Sequence, residues 1–467
     1  MQACILSIGD ELVRGQALDT NSRDLSQRLM DRGVETIEHV TIPDSLDRTA
    51  AAIERLSRAA PLVITTGGLG PTQDDLTRDA LARVLGEPLE IDPDALAALD
   101  ARLKSRARAM TPAQRLQALR PRSARCLPNP NGTAPGLHAT LRTPGAPHES
   151  SEVFCLPGPP NEWRPMFDAF IAPSIRLPPG RIVRTRLLHL FGLSEADAAS
   201  MIPGLMDRSR NPLVGITASG GVLTWRLCFS GIAAPQTAEK ALSDTADLIH
   251  AAMGRFIFAE GDASLAASAV QRLKAGDRTL ACVESCTGGM LGEAVTAVAG
   301  ASAVFRGGLL TYSNDLKSKL AGVSPATLAA HGAVSAETAH EMARGGLAAC
   351  DADLALSVTG IAGPDGGTPD KPVGTVWIAL AFKPLNPPNV APNALSHSPH
   401  SPGSIAVRFF IPGQRDDIRQ RSVTAALGLL NFFLREHDPA APFTPPFNPP
   451  FNPPRLLWEM QRDLRAS

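Results

Sequence analysis

Thr279-Leu280-Ala281-Cys282-Val283 runs directly into Glu284-Ser285-Cys286-Thr287-Gly288-Gly289, and a helical segment starts near Met290. The apolar run has the length of a strand buried on both faces, and the glycine pair after it marks a tight turn. Strand, glycine turn and helix form the unit from which α/β domains are wound, with ligands held at the carboxyl ends of the strands. Ser285 therefore stands where strand gives way to helix, close to backbone amides. That place suits a nucleophile with an oxyanion site beside it, and it equally suits a serine that caps the helix.

The same pattern extends outward from this stretch. A helix over Leu265 to Leu273 precedes it, and Leu354 to Val358 and Gly374 to Leu380 read as later strands, which gives a unit over residues 261–438. A Pro/Asn/Ser/His-rich loop near 384–404 and a Pro-rich tail over 439–467 are expected to be unstructured. Before it, residues 177–260 read as a small α+β module suited to a linking or dimerising role. Its strands are Arg184 to Phe191, Leu213 to Ile216 and Val222 to Phe229, and its helices Ser194 to Met206 and Thr237 to Met253. Residues 1–176 start with the apolar run Ala3 to Ile8 ending at Gly9. A helical spacing over Asn21 to Arg32 and a strand over Pro61 to Thr66 follow, so this region is a doubly wound α/β domain.

Around Ser285 the chemistry-bearing residues are few. Tyr312 is the only tyrosine of the chain, and Lys317 follows it in a chain where arginine far outnumbers lysine. A lone tyrosine can simply pack with its hydroxyl satisfied. A Ser-Lys-Tyr set can also activate a hydroxyl without histidine, provided the lysine is desolvated enough to act as a base. His331, near a helix end, and His340, within a helix, have no suggestive carboxylate partner and read as surface or capping residues. Thr287, Gly288 and Gly289, with Thr359, Gly360 and Gly363 of the second glycine-rich segment, could supply donors to a substrate. Arg415, Arg419 and Arg421 lie on a helix that could present a fork to a phosphate, or simply a solvated face.

The amino-terminal domain has its own glycine segment, Gly67-Gly68-Leu69-Gly70-Pro71-Thr72-Gln73-Asp74-Asp75, between a strand and a helix. Gly67, Gly68, Gly70 and Thr72 suit a phosphate held by backbone amides. Asp74 and Asp75 suit a hard cation, or a pair of helix caps. Three further turns, Gly9-Asp10-Glu11, Asn131 to Gly136 and Leu156 to Glu162, share this half of the chain.

Together these blocks resemble the CinA family (competence/damage-inducible protein). The carboxy-terminal likeness rests on Glu-Ser-Cys-Thr-Gly-Gly, Val-Thr-Gly-Ile-Ala-Gly-Pro-Asp-Gly-Gly and Lys-Pro-Val-Gly-Thr-Val, and covers about Leu265 to Leu427. The four amino-terminal turns match the molybdopterin-binding-like domain of that family, with Trp163 where methionine is more usual. The resemblance implies deamidation of nicotinamide mononucleotide, with Ser285 attacking the carboxamide, Lys317 and Tyr312 moving protons, and Arg419 and Arg421 near the phosphate. It implies hydrolysis of ADP-ribose by the amino-terminal domain, with a divalent cation (Mg, Mn or Co) on Asp74 and Asp75, and Asp10 and Glu11 as further ligands. No cofactor is implied for the amidase, and a homodimer is. A molybdopterin-binding or competence-related regulatory protein without turnover is the alternative.

The bulk properties agree with such an enzyme. The 467 residues exceed one hydrophobic core, with 44% hydrophobic and 19% charged residues. A net charge of -1 argues against nonspecific nucleic-acid binding. The seven scattered cysteines form neither a disulfide framework nor a zinc site. With no leader-like start and no membrane-length apolar run, a cytoplasmic protein without membrane partners is expected.

Overall fold

The computed structural model describes residues 1–175, 179–383, 403–436 and 458–465. These form two compact units, one of Met1–Arg184 with Phe229–Glu239 and one of Thr185–Cys228 with Lys240–Ser467, so the middle segment divides between them. The described residues mix helices and strands in every part, with a mainly parallel α/β arrangement at the start and an antiparallel sheet in the middle segment.

In the first unit a six-stranded sheet has β1 (Gln2–Ile8) between β2 (Glu35–Ile42) and β3 (Leu62–Thr66). Beyond β3 come β6 (Ser150–Leu156), β5 (Gly136–Arg142) and β4 (Arg125–Leu127). The first four strands run parallel, and β5 and β4 close the sheet antiparallel. Residues of β1 alternate between two buried clusters. Cys4, Leu6 and Ile8 pack with Ile53 and Leu56 of α2 (Leu46–Ala59) and Leu81 of α3 (Thr77–Leu85). Ala3 and Ile5 pack with Leu25 and Leu29 of α1 (Thr20–Met30) and with Trp163 and Phe167. Burial on both faces is why these strands read as unbroken apolar runs. The chain leaves β1 for β2 on one side and returns to β3 on the other, so a crevice opens at their carboxyl ends. Gly9, Asp44, Gly67 and Pro157 all follow directly or closely on those ends.

A four-stranded sheet follows, with spatial order β8 (Leu213–Ser219), β9 (Val222–Ile232), β7 (Arg181–Phe191) and β10 (Ile257–Glu260).

The second unit repeats the switch-point logic. β11 (Leu280–Glu284) lies between the parallel strands β12 (Phe305–Leu310) and β13 (Leu354–Gly360). β14 (Thr375–Phe382), β15 (Gly403–Phe410) and β16 (Glu459–Arg465) extend it antiparallel. Helix α7 (Ala336–Cys350) lays Ala336, Ala339 and Ala343 on Ala281, Ala355 and Ala379, and small side chains on both surfaces allow close approach. On the other face α4 (Leu265–Ala275) meets α8 (Arg415–Glu436), where the Asn431 amide donates to the Leu265 carbonyl at 2.9 Å.

Two expectations change here. The loop near 384–404 lies outside the described residues up to 402, and Gly403 and Ser404 already belong to β15. The tail is described from 458, and its Glu459–Arg465 segment is a strand, not an unstructured end. The backbone of edge strand β15 supplies the partners, a main-chain demand that the composition of the tail does not reveal. Among the described residues no helix is long and apolar enough to cross a membrane.

Candidate active site

Ser285 follows β11 at once, its amide donating to the Val358 carbonyl across the sheet at 2.9 Å. The turn then needs two left-handed residues, Gly288 at φ +60 and Gly289 at φ +101, which is why glycine stands at both. Glu284 fastens the turn from below. Its buried carboxylate accepts the amides of Gly289 (2.9 Å), Leu291 (3.0 Å) and Gly292 (2.8 Å), the last two at the start of α5 (Met290–Thr296). Its carbonyl accepts the Thr311 amide at 2.8 Å, so one residue secures both the serine turn and the end of β12.

Lys317, on α6 (Asn314–Ala321), reaches back into this point. Its Nζ donates to Ser285 Oγ at 3.1 Å, to the Thr311 carbonyl at 2.9 Å and to the Tyr312 carbonyl at 3.4 Å. The side chain is 2% exposed, and among the described residues no carboxylate pairs with it. Burial without a counter-charge holds the ammonium below the usual lysine pKa. A serine hydroxyl 3.1 Å from an amine whose burial favours the neutral form is a geometry in which the amine can take the hydroxyl proton. Cys286, next in sequence, is no rival: burial pushes its thiol up to about 12.

The other residues singled out in the sequence fall in different places. Tyr312 is brought to the site by its carbonyl alone; its ring is 62% exposed and its hydroxyl accepts from Arg415 Nη2 at 3.1 Å. Arg415 also donates to the Gly363 carbonyl at 2.6 Å, so it ties the second glycine segment to the mouth of the site. Arg419 braces the serine turn through the Cys286 carbonyl (3.2 Å) and the Thr287 carbonyl (3.1 Å). Arg421 points elsewhere, to the Pro412 carbonyl and the Trp458 ring, because two residues along a helix turn it off the face shared by Arg415 and Arg419. Thr359 is buried and spends its hydroxyl on the Ala333 carbonyl at 2.7 Å, so it is not an open substrate donor. Thr287 is fully buried, and its hydroxyl has no partner among the described residues. His340 is buried in α7 with Nδ1 2.8 Å from Ser404 Oγ, a core residue and not the surface one expected. His331 ends its helix, exposed and 3.7 Å from Glu337.

The first unit holds a second candidate site, a cleft of about 540 Å³ at the switch point. Gly67, Gly68, Gly70 and Thr72 line it with Glu11, Asp44, Asp74 and Gln117. At Gly67 (φ +103) a β-carbon would sit 2.2 Å from the Ile8 carbonyl, so only glycine lets β1 and β3 end this close together. Buried Arg78 holds the loop by its Leu69 and Gly70 carbonyls. Asp75 is not an open ligand: it accepts the Gly70 amide (2.7 Å), the Thr72 amide (2.8 Å) and the Thr72 hydroxyl. Asp10 is absent from the wall, its carboxylate taken by Arg14 and the Asp44 amide. Asp44 is the carboxylate that motif reading missed. Burial raises its pKa, against the Asp10 amide that donates to its Oδ2 at 2.9 Å, and the charges of Asp10, Glu11 and Asp74 raise it further. Among the described residues no three of His, Cys, Asp and Glu close on one point as a metal cage.

The description "CinA C-terminal domain" matches residues 262–386, "Probable molybdopterin binding domain" residues 4–177, and "Damage-inducible protein CinA KH domain" residues 185–259. A CinA-like protein of Geobacter sulfurreducens is 41% identical over 92% of this chain and 98% of its own length. The chain belongs to the CinA family. Another CinA-like protein, from an Anaeromyxobacter species, is 39% identical over 92% of this chain and 98% of its own. Among solved structures, the competence/damage inducible protein CihA of Agrobacterium tumefaciens is 36% identical. It covers 36% of this chain and 91% of its own, with a TM-score of 0.31. The amino-terminal unit of this CinA chain is molybdopterin-binding-like in fold, and the middle module is KH-like.

Proposed function

We propose that this CinA protein is a nicotinamide mononucleotide amidohydrolase whose first unit also cleaves ADP-ribose at the diphosphate. The observation that carries the amidase reading is the 3.1 Å contact between Lys317 Nζ and Ser285 Oγ, with the lysine buried and, among the described residues, unpaired by any carboxylate. Neutral Lys317 takes the Ser285 proton as Oγ attacks the carboxamide carbon. Its ammonium then gives that proton to the departing nitrogen, so ammonia leaves and an ester forms on Ser285. Water, deprotonated by the same amine, cleaves the ester; the balance is amide plus water to carboxylate plus ammonium. The Thr287 amide, without an acceptor among the described residues, is available to the oxyanion. Arg415 and Arg419 put two guanidinium groups at the mouth, suited to a 5′-phosphate. Tyr312 acts at that rim through its hydroxyl contact with Arg415, not as a proton carrier at Ser285.

In the first unit, glycine-loop amides suit a diphosphate, and carboxylates among Glu11, Asp44 and Asp74, no three of which close on one point, would hold a divalent cation. The donor set is thin for a protein-only cage but fits a cation shared with phosphate oxygens, whose charge it would neutralise. A nucleic-acid role for the KH-like module finds little support: between residues 185 and 259 no two glycines are spaced as the GXXG backbone clamp requires.

The test is a product assay on the full chain. Nicotinamide mononucleotide should yield ammonia, nicotinamide riboside should be a poor substrate, and ADP-ribose with Mg, Mn or Co should yield AMP. Tight nucleotide or pterin binding with no product from either substrate supports the regulatory alternative instead.

A further inference from the structure

Gln117 lies in the short turn Leu116–Ala118 and forms part of the wall of the first-unit cleft. It is 1% exposed, and its buried Oε1 has no hydrogen-bond partner among the described residues. Of the residues that line the cleft, none of the others carries such an atom. Folded chains seldom leave a buried carbonyl unpaired, and at a cavity wall the missing partner is naturally a ligand.

The missing partner must be a donor. Phosphate oxygens at neutral pH only accept, so a diphosphate on the Gly67–Gly70 loop cannot satisfy Oε1. A carboxamide carries an acceptor and a donor side by side, the pattern complementary to the N6 and N7 edge of adenine. Pro71 and Ala134 line the same cleft and offer apolar surface to a flat ring, and about 540 Å³ is ample for a mononucleotide. We propose that Gln117 is the base-reading residue of this cleft, selecting adenine over a 6-oxo purine. This inference rests on the reading of the cleft as a nucleotide diphosphate site.

The experiment is equilibrium titration of the full chain, with Mg²⁺ present, by AMP, IMP and inorganic pyrophosphate. The wild type should bind AMP at least roughly tenfold more tightly than IMP, the range of one bidentate base contact. Gln117→Leu should weaken AMP by roughly ten- to a hundredfold, remove the preference, and leave pyrophosphate unchanged. Gln117→Glu, of the same size, keeps the acceptor and loses the donor, and should keep the preference for AMP at lower affinity. Equal binding of AMP and IMP by the wild type overturns the proposal, as does a Gln117→Leu protein that still prefers AMP. Loss of pyrophosphate binding along with AMP also overturns it, since the wall and not a base contact would then have been removed. An AMP-selective cleft that leaves ADP-ribose intact refutes the hydrolase reading and spares the base contact; cleavage of ADP-ribose without AMP selectivity does the reverse.

Discussion

Replacing Lys317 with methionine removes the base and keeps the length of the side chain. Two stability terms oppose each other. The Thr311 carbonyl loses its 2.9 Å donor, at a cost of about 1–3 kcal/mol. The amine that burial disfavours is exchanged for a thioether whose burial is worth about 1.5–3 kcal/mol. The net change is within about 2 kcal/mol, so thermal unfolding should move by only a few degrees. Catalysis has no such offset. A positioned general base contributes roughly 10²- to 10⁴-fold, about 3–5 kcal/mol of barrier, and the loss should fall on kcat with KM nearly unchanged. Ammonia release from nicotinamide mononucleotide, followed continuously, measures both constants. The wild-type pH profile is part of the same prediction: the protonated amine cannot accept the serine proton, so kcat/KM should rise with pH along a limb centred below 10.5. A Lys317→Met protein that folds normally and keeps more than about a tenth of the wild-type kcat would refute the reasoning.

Three further outcomes follow from the same geometry. Cys286→Ala should deamidate within about threefold of the wild type, because a thiol pushed up to about 12 is almost wholly protonated at neutral pH; strong inactivation would make the cysteine a participant. Glu284→Ala strands three amides and should destabilise the second unit by about 3 kcal/mol or more in denaturant unfolding while lowering kcat. Arg415→Ala should raise KM for nicotinamide mononucleotide roughly tenfold and leave that for nicotinamide riboside alone, a split that only a phosphate contact produces.

Much of this was readable in the residues, for a physical reason. Strands buried on both faces, β1 and β11 among them, are continuous apolar runs, and the glycines after β3 and β11 are required by left-handed angles or close backbone approach. Ser285 and Lys317 are legible because the serine follows a buried strand at a glycine turn, a place that also suits a helix cap, and the lysine stands in an arginine-rich chain. What escaped was direction. Arg421 and Arg419 are equivalent on paper, yet helical rotation sends one to Trp458 and the other to the serine turn. Asp74 and Asp75 are likewise adjacent, but the loop's own donors consume Asp75. Asp44 and Gln117 lie in no motif and reach the cleft only because the chain folds them there. Tyr312, unique by count, meets Lys317 through a backbone atom that any residue would supply.

The most direct measurement is ammonia release from nicotinamide mononucleotide by the Ser285→Ala protein beside the wild type, at matched folded concentration. Removal of the hydroxyl should abolish turnover of this amide while ADP-ribose cleavage by the first unit continues. Undiminished ammonia production by the alanine variant would mean that another group attacks the carboxamide, and the Ser285–Lys317 mechanism would be wrong.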